Sequence, residues 1–418
     1  MDLAAIEEGL RVAVLAVGAR LLGKLLAPLG RADPAAPTLC SCGQAMHSVG
    51  LQTKELVTLL GQTPWVRRCR QCAACHKTRF PGDEQLGVVD TGFSPAVRRR
   101  VARLGSQGPF GQASDNLQVL AELKISAKDC QRISAAAGQL MQRWEAAEAA
   151  KPGAPCSAPI AYLAFDGTGV PMRRAELVDR KGKQPDGTAK TREVKLGCCF
   201  TQTTTDEEGY AVRDPDTTSY LGAIETSGAF GWRLLGEVQR RGLDRAKTLV
   251  ALTDGATYNH TLVEKHFPTA VHIVDLFHSR EHLYDLSKLL GLAERKCSTV
   301  ISWLALLDAG RIDDLVSQIT PLAPAGDHRH DVVQQALQYF ITRKANMDYK
   351  RFRALGYFVG SGVIEAGCRT VVGQRLKCSG MHWSVVGANA IITVRCLELS
   401  GRAEDFWTDF PQLMVTAA

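Results

Sequence analysis

Four acids and four cysteines carry most of the chemistry this 418-residue chain could perform. Asp166 closes the apolar run "PIAYLAFDG", Asp254 closes "TLVALTDG", and Asp275 closes "AVHIVD". Each run reads as a buried strand. Each acid is therefore expected at a strand's carboxyl end, where open α/β sheets bind ligands. One Asp-Gly at a strand end is usually just a turn, but three in one region can converge on one spot. Glu365, in "GSGVIEAGC", stands in a segment of lopsided charge. Residues 341–380 hold eight Lys/Arg against two acids. Beside Val363, Ile364 and Val372, and followed by Arg369, Arg375 and Lys377, Glu365 reads as a carboxylate aimed at a cation-lined cleft. The bland alternative is a salt bridge to Arg369 one turn away.

The cysteines point to a different site. Cys40-Ser-Cys42 and Cys72-Ala-Ala-Cys75 are two close-spaced thiolate pairs on turns, the pattern a closed tetrahedral Cys₄ zinc site needs. Cys69 and His76 are rival ligands. Four protein ligands leave no open position, so such a zinc is structural. The other thiols of this 13-cysteine chain suit a reducing compartment.

Three motifs need weighing against these. His278, Glu281 and His282 spell H-x-x-E-H, a zinc-peptidase pattern, so a zinc hydrolase is one alternative. "VVDTGFS" carries the D-T-G of aspartic proteases, but no second copy occurs and a basic helix follows at once. "FDGTGVP" lacks the lysine of a phosphate-binding loop.

The elements that must position these residues fall into two textures. Residues 3–28 read as an amphipathic helix. They begin with acids and are interrupted by Arg11, Arg20 and Lys24, so neither a secretory signal nor a membrane span is expected. A turn-rich cysteine region follows. Residues 94–146 read as helical, with Ser94 as N-cap and Pro95 in the first turn. "LAELKISAKDCQRIS" could form a helix-turn-helix, with Arg98, Arg99, Arg100 and Arg103 holding phosphates; a plain helical bundle fits as well. After the linker "EAAEAAKPGAPCSAP", strands and helices alternate, which predicts an α/β fold with a mixed sheet. Residues 279–345 are then mostly helical. The formal charge of +7 is compatible with an anionic partner.

"AFDGTGVPM", "LTDGATYN", "VDLFHSREHL", "GSGVIEAGCRTVVGQRLKCSGMHWS" and "ANAIITVRCLELSGRAEDFW" together resemble bacterial insertion-sequence transposases of the ISKra type, relatives of the Mutator-like DDE transposases. The resemblance runs in order through nearly the whole chain. It implies an RNase H-like core interrupted by a helical insertion, with DNA-binding modules in front. It gives Asp166, Asp254 and Glu365 the place of the catalytic acids, holding Mg²⁺ or Mn²⁺. It sets Asp275 and His278 near the site as a D-x-x-H motif, and it puts Arg369, Arg375, Lys377 and Trp383 against DNA. The expected organisation is an N-terminal helix (1–36), a zinc-ribbon-like region (37–90) and a helical DNA-binding region (91–150). The core follows in two parts (151–290 and 351–405) around the insertion (291–350), and a tail (406–418) closes the chain. The expected partner is double-stranded DNA with terminal inverted repeats, bound by a homo-oligomer in the bacterial cytoplasm. The alternatives are an inactive, transposase-derived DNA-binding protein and an RNase H-like nuclease without strand transfer.

Overall fold

A computed structural model describes residues 2–32, 37–182, 184, 187–292 and 297–416. The expected boundary at 36/37 touches residues outside that set, as do the start of the expected insertion and the end of the expected tail. The chain divides into two compact units, Met1–Met141 with Arg402–Ala418, and Gln142–Gly401.

The first unit opens with helix α1 (Leu3–Arg31), whose N-terminus is capped by the Asp2 carboxylate accepting the Ala4 N–H at 3.0 Å. The helix runs three residues past the expected end. Arg68 donates to the Arg31 carbonyl at 2.8 Å and satisfies one of the last-turn acceptors. One face carries Gly18, Gly23 and Gly30, which let the helix lie close on Leu60, Pro64 and Trp65. A Cβ on Gly30 would run into the Val66 carbonyl. Contrary to expectation, α1 is long and apolar enough by length and composition to cross a membrane, with only 11% of its apolar window buried.

The cysteine region is an antiparallel sheet of β1 (Met46–Thr58), β2 (Gly61–Cys72) and β3 (Thr78–Arg79). The sequence reading missed this hairpin. Most of β1 faces solvent, so no alternation of apolar residues marks it. The one-turn helix α2 (Pro81–Gln85) carries the buried Asp83. That carboxylate accepts from Trp65 Nε1 at 2.6 Å, Arg67 Nε at 3.1 Å and Lys54 Nζ at 3.1 Å, so its burial is compensated. Helices α3 (Pro95–Gln107), α4 (Phe110–Ala121) and α5 (Ala127–Ala149) follow. Ser94 caps α3 as expected, accepting the Val97 N–H at 3.3 Å. Val97, Val101, Leu117, Ile125 and Ile133 form the core of the three helices.

The second unit is built on β4 (Ile160–Pro171), β5 (Thr191–Gln202), β8 (Ser219–Ala223), β9 (Thr248–Thr253) and β10 (Val271–Val274), in the order β10-β9-β4-β5-β8. β6 (Thr204–Thr205) and β7 (Ala211–Val212) make a small separate ribbon. β10, β9 and β4 run parallel, while β5 is antiparallel to both its neighbours. The fold is thus mixed α/β. Helices α6 (Ser227–Arg240) and α7 (Thr257–His266) cover one face through Phe230, Leu234, Leu262 and Val263. Helix α8 (Leu276–Leu289) leads into four further helices, α9 (Ser298–Asp308), α10 (Ile312–Ile319), α11 (His330–Arg343) and α12 (Tyr349–Ala354). These have a core of their own, with Trp303, Leu315, Val333 and Phe340 fully buried. Next, α13 (Gly362–Gly367), a π-helical turn (Cys368–Gly373) and α14 (Gln374–Leu376) form one irregular helix. Buried α15 (Val385–Leu399) completes the unit. Helix α16 (Ala403–Thr416) belongs to the first unit.

Candidate active site and candidate metal centre

Strand register brings two of the acids level. Ala164 pairs with Leu252 in the parallel β4/β9 ladder, so Asp166 and Asp254 lie two residues further on, side by side and on the same face. Thr253 pairs with Val274, which sets Asp275 at the same level. Asp166 does not end its strand as expected. β4 continues to Pro171, paired only with β5, so the acid stands where the sheet narrows. Glu365 arrives from α13. A cleft of about 300 Å³ is lined by Asp166, Asp254, Glu365, His278, Glu281 and Phe277, among others.

Each carboxylate is held. Asp166 accepts the Gly167 N–H at 2.6 Å, and its other oxygen faces Cys368 Sγ at 3.8 Å across the π turn. Asp254 accepts from the Ala256 N–H at 2.8 Å and from Asn259 Nδ2 at 2.6 Å. Ser361 donates its hydroxyl to Glu365 at 3.1 Å. Burial, then the nearby charges of Asp254 and Glu365, raises the Asp166 carboxyl above the usual range. Tyr258 is pushed up by burial and then by the charges of Glu193, Asp254 and Asp166. The cleft is therefore a region of negative potential that a cation would relieve, and its donors are hard carboxylate oxygens suited to Mg²⁺ or Mn²⁺.

Asp275 plays a different part. It is fully buried. One oxygen caps α8 by accepting the His278 N–H at 2.6 Å, and the other accepts the Ser361 N–H. It thereby joins the start of α8 to the segment that presents Glu365. His278 lines the cleft, half-exposed, with Nδ1 3.5 Å from Glu281. His282 stacks on Tyr339 at 4.0 Å between centroids, and Tyr339 donates to the Asp254 carbonyl at 3.1 Å. Among the described residues no third ligand gathers with His278 and His282 to complete a zinc-hydrolase site, and the carboxylates of Asp166, Asp254 and Glu365 share the cleft without drawing together as tightly as the four cysteine thiols. Ser361 and Glu193 escaped the sequence reading. Ser361 stands four residues before Glu365, a helical spacing that could have revealed it. Glu193 pairs with Gly169 only through the sheet register.

The expected DNA contacts divide. Lys377 is exposed and reaches Thr168 Oγ1 at 2.6 Å, two residues along β4 from Asp166. Arg369 is exposed on the π turn. Arg375 and Trp383 instead lie in the interior. The guanidinium sits 5.0 Å from the indole ring, whose Nε1 donates to the Leu376 carbonyl at 3.0 Å. In the first unit, Arg98 is turned inward, donating to the Gly87 carbonyl and lying 4.8 Å from the Phe410 ring. Arg99 pairs with Glu404, while Arg100 and Arg103 face solvent.

The four expected thiols converge. The sulfurs of Cys40, Cys42, Cys72 and Cys75 all lie within 4.8 Å of one another, with Cys40 to Cys75 at 3.3 Å and Cys42 to Cys72 at 3.5 Å. Among the described residues this is the His/Cys/Asp/Glu group that closes tightly enough to hold an ion. The rivals Cys69 and His76 are not part of it. The backbone N–H of Cys42 draws the Cys40 thiol down to about 6, and that of Cys75 lowers Cys72. Cys75, despite its Lys77 backbone bond, is pushed up to about 11 by its hydrogen bond to Cys40 and by burial, as one of several sulfurs sharing protons. Backbone donors aimed at sulfur favour thiolates, the form that ligates zinc. The cluster could hold a metal such as zinc.

No protein-family model matches the chain, and no curated protein does. Among solved structures, the Drosophila P element transposase strand transfer complex is similar at 12% identity and a TM-score of 0.26, over 79% of this chain and 85% of that chain. At that score the likeness carries no argument about fold or function.

Proposed function

We propose that this chain is a DDE transposase that cuts and joins DNA at the ends of an insertion sequence, using Asp166, Asp254 and Glu365 to hold Mg²⁺ or Mn²⁺. The observation that carries the reading is the meeting of these three acids, from three separate segments, in one cleft just beyond the end of the parallel β4/β9 ladder. The five-stranded mixed sheet, with a helical insertion before the last acid, supports an RNase H-like core.

Phosphodiester cleavage is slow because the phosphate repels nucleophiles and the bridging oxygen leaves poorly. Mg²⁺ or Mn²⁺ held by Asp166, Asp254 and Glu365 would supply activation of a water or 3′-hydroxyl and offset charge on the leaving oxygen. The chain's own groups do the positioning. Asn259 and the Ala256 N–H fix the Asp254 carboxylate, and Ser361 steadies Glu365. Asp275 ties the α8 start to the Glu365 segment. His278 is at hand to donate to a phosphate or a departing oxygen. Arg369 and Lys377, with Arg100 and Arg103 in the first unit, supply cations for the duplex backbone. The cysteine cluster would hold structural Zn²⁺.

The test is a Mg²⁺-dependent reaction with labelled duplexes bearing candidate terminal inverted repeats, read for cleavage and strand joining. Both activities are expected. Binding without cleavage would favour an inactive DNA-binding relative, and cleavage without joining would favour a nuclease.

A further inference from the structure

Helix α1 carries a second pattern on the side away from its glycine face. Leu3, Ile6, Leu10, Val14, Val17, Leu21, Leu25 and Leu29 recur at spacings of 3, 4, 4, 3, 4, 4 and 4 residues. Each is between 49% and 70% exposed. Two full 3-4-4 repeats make an eleven-residue period, which keeps a stripe on one face of a nearly straight helix. The eight side chains expose roughly 800 Å² along about 39 Å, more than solitary proteins usually leave open and near what one partner contributes to a standard interface.

We infer that this stripe is a homodimer interface in which α1 pairs antiparallel with α1 of a second copy. Reversing the helix maps the inner six residues, Ile6 to Leu25, onto themselves: Leu10 falls level with Leu21 of the second helix, Ile6 with Leu25, and Val14 with Val17, while Leu3 and Leu29 fall one residue out of step. A self-complementary surface of this kind is what a two-fold contact requires. Charge selects the direction. Asp2, Glu7 and Glu8 mark one end of the helix, while Arg20, Lys24 and Arg31 mark the other. Antiparallel pairing sets acidic ends against basic ends, whereas parallel pairing sets like against like. Arg11, the one cation near the acidic end, is already paired with Glu8 and Glu122. A lipid bilayer fits the helix less well. Arg20 and Lys24 would have to be drawn into hydrocarbon, and the glycine face would have to leave Leu60, Pro64 and Trp65.

The test is sedimentation of the full zinc-loaded chain without DNA, so it is independent of the catalytic reading. A dimer is expected. Leu10→Glu with Val17→Glu, both at exposed positions, should raise its dissociation constant by at least about a hundredfold (some 2.7 kcal/mol), with helix content unchanged and melting equal to that of the parent diluted to monomer. Glu7→Lys and Lys24→Glu should each weaken the dimer, and the two together should restore it. A monomeric parent, an assembly indifferent to the stripe variants, or failure of the double charge reversal to restore pairing would each overturn the inference. So would co-flotation of the parent with phosphatidylcholine–phosphatidylglycerol vesicles in place of dimerisation.

Discussion

Asp166 is held where a carboxylate is least comfortable, half-buried and facing two other acids. Its neighbours on α8 divide into a tie and a rim. Asp275 is the tie: removing a buried acceptor of two backbone N–H groups should cost about 2–4 kcal/mol. Asp275→Ala is therefore expected to lower the melting temperature, measured by calorimetry, as well as activity. His278 and His282 are expected to separate. His278→Ala should reduce DNA cleavage with little change in stability, since that side chain is half-exposed at the cleft. His282→Ala should act mainly on stability, because its ring packs on Tyr339. Equal losses of cleavage without loss of stability would contradict this division. His272 supplies a pH dependence. Burial, and then the charges of His260 and Arg343, drop it to about 4, and it shares a hydrogen bond with Thr253 at 2.9 Å. The folded state thus binds the proton less tightly than the unfolded chain, whose value is near 6.5. Stability from this residue is complete above pH 6.5 and falls as pH drops toward 4, by about 3 kcal/mol. His272→Gln should flatten that part of a denaturation-versus-pH profile.

The cysteine hairpin makes its prediction at the scale of an element. β1 leaves much of its length in solvent and buries only Met46, Leu56 and Thr58, so a bound ion would contribute directly to its folding. Protein purified without chelator should carry one zinc per chain. Cys72→Ser with Cys75→Ser should abolish it and expose the hairpin to proteolysis, with the sheet of the second unit left intact. Metal retained by that variant would exclude the four-thiol assignment. Much of this was legible in the sequence. The paired spacing of Cys40/Cys42 and Cys72/Cys75 named the thiols, and the apolar runs before Asp166, Asp254 and Asp275 named the strands. The hairpin was not legible, because a strand exposed along most of its length shows no alternation. β8 was hidden because "SYLGA" is only five residues long and follows the turn residues Asp214-Pro215-Asp216 so closely that it reads as part of the loop. The π turn at Cys368–Gly373 escaped because a widened helical turn leaves the apolar spacing nearly unchanged, yet it faces Cys368 toward Asp166. Arg375 and Trp383 are expected against DNA but lie in the interior, because burial depends on contacts distant in sequence.

At the scale of the whole molecule, a cleft of acids belongs to a chain of formal charge +7. Affinity for duplex DNA should fall with salt. Arg369→Ala and Lys377→Ala should each reduce the slope of log K against log salt by about 1 if each neutralises one phosphate. An unchanged slope would move the DNA path away from the cleft. The central claim is that Asp166, Asp254 and Glu365 act together on metal ions. Its most direct test is calorimetric titration of the parent and of Asp166→Asn, Asp254→Asn and Glu365→Gln with Mn²⁺, with Mg²⁺-dependent cleavage of labelled duplex followed on the same samples. Each substitution is expected to weaken Mn²⁺ binding and abolish cleavage while DNA affinity stays within about threefold. Near-parental metal binding and cleavage in any one of the three would contradict the account.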